Sequence, residues 1–600
     1  MRIPIRYLRI TLKLLFKKTL AFINSKVELR TFVIIASLCV GIISGLAAVL
    51  LKMLVHFLET EPRVYFTRLG IEFLLPFTPI VGILLSVLIV QFFFNGHIRK
   101  GLGDLIYLII RKRSDVPKRK MFSPLITSGV TVGLGGSAGL EAPIVMAGAA
   151  IGSNFAKALK FNYQTRTLLL ASGSAAGISA IFNSPIAGVI FAFEVLLPEL
   201  TISSFIPLLI ASASSAVVSR FLYSGQLFYL VTEGWKMNAL PYYILLGIFS
   251  GFISLYMIKS SFFLEGLLDN FKKKYAKALI GGIILCSLIF LLPPIFGEGY
   301  STVINLLSGN IYKLLEGSIF NSMGNKDISI LVFTALIIFT KVLATSLTIG
   351  SGGNGGIIAP SLFTGALTGF FLAHLMNFTG ITQLNHSNFI VVGMAGVLSG
   401  VLHSPLTGIF LIAEITGGYV LVVPLMIVTA LAFFISKFFH PHSIYTSSLA
   451  ERGIKFRSEK EKSFIQHLNL SDLVETDFLN VNPRMTLREL VDKMTHTRRN
   501  LFPVLDDEDK LVGVVTLDDI REVILDVEVQ DVILVYEIMN RNFEAIDIKT
   551  DINHILDIFE EKQIWNLAVT ENEKYLGFIS KSNIFNKYIS EMIKQQKEQI

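Results

Sequence analysis

Glu141 stands in the stretch GGSAGLEAPIV (135–145), two residues after Gly139 and two before Pro143, with apolar sequence on both sides. A carboxylate inside a membrane costs roughly 2.5–3.5 kcal/mol on insertion scales, so this position needs a reason. Glycine permits a tight backbone break and proline suits a first helical turn, which predicts a helix starting here. A helix N-terminus presents unpaired N–H groups and a positive partial charge, and so binds anions. Ionised, Glu141 would take the anion's place and plug the site. Protonated or swung aside, it would let the anion in. Glu141 thus reads as a gate and a proton carrier; the plainer reading is a carboxylate stabilising its own helix end.

The surrounding chain is membrane-like. Of 600 residues, 52% are hydrophobic and 16% charged, where soluble chains carry roughly a quarter charged residues. Apolar runs cover Thr31–Leu51, Phe73–Phe94, Tyr242–Met257, Ala278–Leu292, Ile328–Leu347 and Val420–Ile435, several near the ~20 residues that span a bilayer. The basic start, residues 1–30, shows no cleavage site and reads as an amphipathic cytoplasmic segment. The net charge of +8 then reflects positive-inside bias and lipid contact, not nucleic-acid binding. Cys39 and Cys286 sit in apolar runs and read as small buried side chains, neither a disulfide nor a metal site.

The composition shifts near Glu451, which predicts a membrane unit to residue 450, a linker at 451–468 and a cytosolic domain beyond. The membrane part repeats internally. Adding 217 carries Gly136, Gly139, Pro143, Gly148 and Gly152 onto Gly353, Gly356, Pro360, Gly365 and Gly369. Adding 220 carries Ser184, Pro185, Gly188 and Glu194 onto Ser404, Pro405, Gly408 and Glu414. The halves run about 31–222 and 240–450. Transporter repeats are often inverted, with the substrate held between broken helices, so two Gly–Pro loops predict an anion site at the symmetry axis. Glu194 and Glu414, in matching places, predict a shared structural task, helix-end hydrogen bonding or a place in an aqueous vestibule, rather than a direct transport role.

These residues resemble the CLC family of chloride channels and chloride/proton antiporters. GLEAP is similar to the family's G-[KR]-E-G-P gating loop, though it lacks the basic residue before Glu141 and the glycine after it. KVLATSLTIGSGGNGGIIAP (341–360), FNSPIAGVIFAFE (182–194) and FGEGY (296–300) are similar to further family elements. The resemblance implies an all-α polytopic membrane protein of two inverted repeats, followed by an α/β domain. It implies a homodimer with one anion pathway per subunit and chloride as the transported ion, with no required cofactor. It assigns the gate to Glu141, and the central anion to the loop of Gly139, the amides of Ile357 and Ile358, and the Tyr445 hydroxyl. In RKGLGDLI (99–106), Leu102 stands where the family's anion-binding serine would be, leaving the amides of Gly101–Gly103 to contribute. The family's antiporters often carry a proton-donor glutamate directly after the position of Glu194; here it is Val195. That favours channel-like conduction over the alternative, proton antiport. A CBS-regulated cation transporter and a CBS-dependent sensor are the remoter readings.

The C-terminal part repeats at a shift of 64, Gly513 over Gly577, and resembles a tandem CBS pair at 469–525 and 536–592. Such pairs often bind adenine nucleotides, and the matching positions are Thr516 with Asp519 and Ser580 with Asn583, which otherwise read as helix caps. No phosphate loop, nucleophile–base pair or metal-ligand cluster points to an enzyme.

Overall fold

The computed structural model describes residues 29–94, 101–196, 204–223, 234–271, 273–322, 325–450, 470–526, 528–562, 564–572 and 574–587. Nearly all of the basic segment expected at 1–30, the linker expected at 451–468, and Arg99 and Lys100 lie outside the described residues. The chain divides into two compact units, Met1–Lys455 and Phe456–Ile600.

The first unit is helical. Its first half holds α1 (Leu29–Leu69), α2 (Thr78–Phe93), α3 (Leu102–Arg111), α4 (Ser123–Gly133), α5 (Glu141–Ala158), α6 (Tyr163–Phe182), α7 (Pro185–Phe191) and α8 (Phe205–Leu222). The second half holds α9 (Leu240–Asp269), α10 (Lys274–Leu291), α11 (Tyr300–Leu307), α12 (Lys326–Gly350), α13 (Ile358–Phe378), α14 (His386–Leu402), α15 (Pro405–Ile415) and α16 (Val422–Phe439), with the short α17 (Ser447–Ala450) after it. Among the described residues, eight helical segments are long and apolar enough to cross a membrane.

Two of these, α8 and α13, are absent from the six apolar runs read in the sequence, because small polar residues dilute them. In α8 those residues bond backbone oxygens of the first half: Ser212 to Pro185, Ser215 to Ala176 and Ser219 to Ala180, at 2.7–2.8 Å. The one departure among the cysteines has a similar origin. Cys286 is buried but Cys39 is only half-buried, since α1 turns Ile35, Leu38, Ile42 and Leu46 outward on the neighbouring face.

Glycines set how closely the helices pack. A Cβ on Gly148 would fall 2.1 Å from the Gly173 carbonyl oxygen, and one on Gly152 1.9 Å from that of Leu169. The repeat-related pairs give the same contacts, Gly365 against Gly393 at 2.3 Å and Gly369 against Phe389 at 1.9 Å. The α5–α6 and α13–α14 pairs are therefore backbone-to-backbone packings, as small-residue spacing allows in membranes.

The second unit holds two βαβ-like copies. The first has α18 (Leu487–Thr495), β1 (Leu501–Leu505), β2 (Leu511–Thr516) and α19 (Leu517–Ile520); α20 (Val535–Ile538) leads to the second, with β3 (Ala545–Asp547), α21 (Ile552–Glu561), β4 (Asn566–Glu571) and β5 (Lys574–Ser580). β1 pairs antiparallel with β2, β3 parallel with β4, and β4 antiparallel with β5. Gly513 and Gly577 hold equivalent registers, opposite Val504 and Val569. The copies exchange edges: Glu475 pairs with Phe578, and Asn540 with Val514.

Candidate anion pathway and gate

The two Gly-rich loops meet. Gly139 N–H donates to Gly356 at 2.9 Å and Gly356 N–H to Gly139 at 2.7 Å, so the two repeat-equivalent glycines pair with each other. Two further backbone ties around them are reciprocal. Ser137 N–H donates to Thr348 Oγ1 and Asn354 N–H to Thr131 Oγ1, each at 3.1 Å. This is the pattern of a pseudo-two-fold axis through the paired glycines, and it places the starts of α5 and α13 side by side. Pro143 and Pro360 are each the third helical residue.

Glu141 is fully buried and is the first residue of α5. Its Oε1 accepts a hydrogen bond from the Tyr300 hydroxyl at 3.0 Å. Its Oε2 has no hydrogen-bond partner, and lies 2.1 Å from where a Cβ on Gly139 would be and 3.5 Å from that of Gly356. The carboxylate thus hangs over both loops, between its own helix start and that of α13. The first-turn amides there, Ile357 and Ile358 included, lack intrahelical acceptors by the geometry of any helix start. Ile358 is buried and Ile357 half-buried. Tyr445, between α16 and α17, is buried within the same core cluster as Ile358, and its hydroxyl has no partner. The α17 turn that follows packs on α3, which also touches α5. α3 opens at Gly101, in the left-handed region at φ 80°, with Leu102 fully buried next to it. Asp104 in its first turn is neutralised by the buried Lys120.

Glu194 and Glu414 cap helices of the opposite halves. Glu194 accepts from Leu406 N–H at 3.1 Å, Thr407 N–H at 2.7 Å and the Thr407 hydroxyl at 2.8 Å, at the start of α15. Glu414 accepts from Ile186 N–H at 3.1 Å and Ala187 N–H at 2.8 Å, at the start of α7. The expected helix-end task is present, but across the axis.

Sequence reasoning assigned no role to the loop before α11. Lys341, buried in α12, donates to the carbonyls of Ile295 at 3.1 Å and Gly297 at 2.7 Å. Gly297 N–H donates to Gly135 at 3.0 Å. Glu298 Oε1 accepts from Leu140 N–H at 3.3 Å. The signal available was a carboxylate flanked by glycines, in apolar surroundings, two residues before a tyrosine.

In the second unit, Thr516 caps α19. Its N–H and hydroxyl both donate to Asp519 Oδ2 at 2.7 Å, and Asp519 N–H returns a bond to Thr516 Oγ1 at 3.3 Å. Both residues remain exposed or half-exposed. Ser580 donates to Glu475 at 2.8 Å, and Asn583 uses its side-chain amide on the Leu473 carbonyl at 2.9 Å. The second pair is therefore tied into its own fold more firmly than the first.

A family model described as voltage gated chloride channel matches residues 81–437, and a CBS domain model matches 470–526 and 535–590. Among curated proteins, a putative chloride channel protein, ClcB-like, from Ralstonia nicotianae is 27% identical over 392 residues, 62% of this chain and 84% of that protein. The H(+)/Cl(-) exchange transporter ClcA of Vibrio parahaemolyticus is 28% identical over 444 residues, 70% of this chain and 90% of that one. Among solved structures, a slow cyanobacterial Cl-/H+ antiporter superposes with a TM-score of 0.61 at 22% identity, covering 72% of this chain and 99% of its own.

Proposed function

The chain belongs to the voltage-gated chloride channel family, whose members carry anions and are not enzymes; on that premise we propose that it exchanges chloride for protons across a membrane, with Glu141 as the gate. The observation that carries this reading is the Glu141 carboxylate lying over both loops with Oε2 unpartnered. Ionised, it holds the seat of an anion at the start of α13. Protonated, it loses its attraction for that helix end and yields the seat. One group then couples proton uptake to anion entry. Ile357, Ile358 and Tyr445 supply the remaining donors; the Gly139 N–H expected among them is instead committed to the Gly356 carbonyl by the pairing of the two loops, and Leu102 supplies no hydroxyl.

The sequence favoured uncoupled conduction because Val195 cannot carry a proton. Exchange relatives such as the Vibrio protein shift the preference to antiport. Channel-like conduction remains the second reading, since Glu194 is committed to capping α15 and Val195 is half-buried and apolar. The protein would be a homodimer in a bacterial inner membrane, with the CBS pair cytoplasmic and acting on the pathway. Thr516 and Asp519 are the better-placed pair for an adenine nucleotide, because Asn583 is already spent on Leu473.

The test is purified protein in liposomes with an outward chloride gradient, recording chloride release and external pH with and without valinomycin. Proton uptake driven uphill by chloride supports exchange. Chloride release without it supports the channel, and no chloride movement removes both.

A further inference from the structure

We propose that Glu298 is a second proton-binding residue of the pathway, relaying protons between outside water and Glu141. The inference rests on Glu141 being the gate. Three observations place Glu298 there. First, Oε1 accepts from Leu140 N–H at 3.3 Å, so the carboxylate sits at the start of α5, as that of Glu141 sits at the start of α13. The two equivalent helix ends each hold one carboxylate. Second, the loop carrying Glu298 also delivers Tyr300 to Glu141 Oε1 at 3.0 Å. That loop is fixed by Lys341 and Gly135, so the spacing of the two carboxylates is built in. Third, Glu298 is half-buried where Glu141 is fully buried. A cavity of about 400 Å³ lies beside the loop, lined by Pro294, Ser301 and Asn305 together with the charged Arg63, Lys313 and Glu316. Glu298 is therefore the more accessible of the two carboxylates.

The charged and titratable groups in its field are Glu141 from α5, Lys341 from α12, Glu59 and Lys52 from α1, Tyr300 of its own loop and Tyr223 beyond α8. Lys341 spends its ammonium on two carbonyls, and Lys52 on the Ala180 carbonyl at 2.7 Å and the Ser219 hydroxyl at 3.1 Å. The two carboxylates oppose each other's ionisation and titrate as a pair. In the relay, a hydronium ion in the cavity protonates the Glu298 carboxylate and leaves water. The acid then passes that proton to the Glu141 carboxylate, directly or through one water, and is left ionised. Outward movement reverses both steps.

The experiment measures chloride flux against external pH, and proton flux, for the full chain and its Glu298→Gln and Glu141→Gln variants in liposomes. Glu298→Gln removes the neighbouring charge but keeps the shape. The pH of half-maximal chloride flux moves down by about one unit or more, and proton flux falls at least ten-fold while chloride flux persists. A wild-type midpoint and proton rate in Glu298→Gln, with Glu141→Gln pH-insensitive, overturns the relay and leaves the gate standing. Wild-type pH dependence in Glu141→Gln overturns both. Should Glu298→Gln not fold, Glu298→Asp draws the charge back by one methylene, and an unchanged midpoint there also overturns the relay.

Discussion

At the start of α5 the first half presents Glu141; at the equivalent start of α13 the second half presents Ile358. The backbones match. Gly139 and Gly356 bond each other, and Thr131 and Thr348 hold the opposite loops at equal distances. The side chains do not match, and neither does the room around the glycines. A Cβ on Gly139 would meet Glu141 Oε2 at 2.1 Å, whereas on Gly356 the nearest atoms are those of Ala142 at 3.0 Å. Repetition thus builds two equivalent helix ends, and the chemistry enters where one side chain breaks the equivalence.

The largest expected effect follows from that one difference. Glu141→Gln makes anion flux independent of external pH and cuts proton flux by about 100-fold or more, while Ile358→Leu leaves the pH profile in place; flux against pH in liposomes checks both. Next come the glycines. Gly139→Ala displaces the carboxylate and raises flux at neutral pH about ten-fold, the population shift that 1–3 kcal/mol of overpacking implies. Gly356→Ala does so several-fold less, and equal effects would erase that asymmetry.

The reciprocal caps give the third comparison. Losing charge-assisted bonds costs about 1.5–3 kcal/mol, and Glu194 receives three donors to Glu414's two. Thermal unfolding in detergent should show Glu194→Gln the more damaging. Thr131→Val and Thr348→Val each remove a hydroxyl that accepts from the opposite loop and donates within its own helix, and should cost about 2 kcal/mol apiece, equally; an unequal pair would break the symmetry. The smallest effect belongs to the second unit. Arg499 bonds Asp477 and holds its carboxyl below the usual carboxylate value. That contribution is present above the ordinary Asp pKa and is lost as pH falls through the lowered one. Because Asp477 is exposed, it is worth no more than about 1 kcal/mol, and Asp477→Asn, which leaves the Arg499–Glu475 pair in place, should flatten the acid limb of the stability curve by that amount.

The second unit shows the same construction with other materials. Its copies exchange Glu475 and Asn540 across Phe578 and Val514, and the seam between them is filled by Val514, Ala568 and Phe578. In water an apolar seam holds two copies together. Within a membrane that driving force is absent, and hydrogen bonds with close backbone packing serve instead.

The sequence by itself determined the repeats, the places where helices break, and a carboxylate at one break. Glycine, proline and glutamate act locally there, so their spacing carries the information. Tertiary structure alone decided which helix each carboxylate serves. Glu194 caps α15 and Glu414 caps α7, over separations of more than 200 residues, and nothing local in either stretch states that exchange. It also decided that Tyr300 reaches Glu141 and Glu298 reaches α5, because a loop fixed by a lysine 40-odd residues away acquires its position only when the halves close on each other.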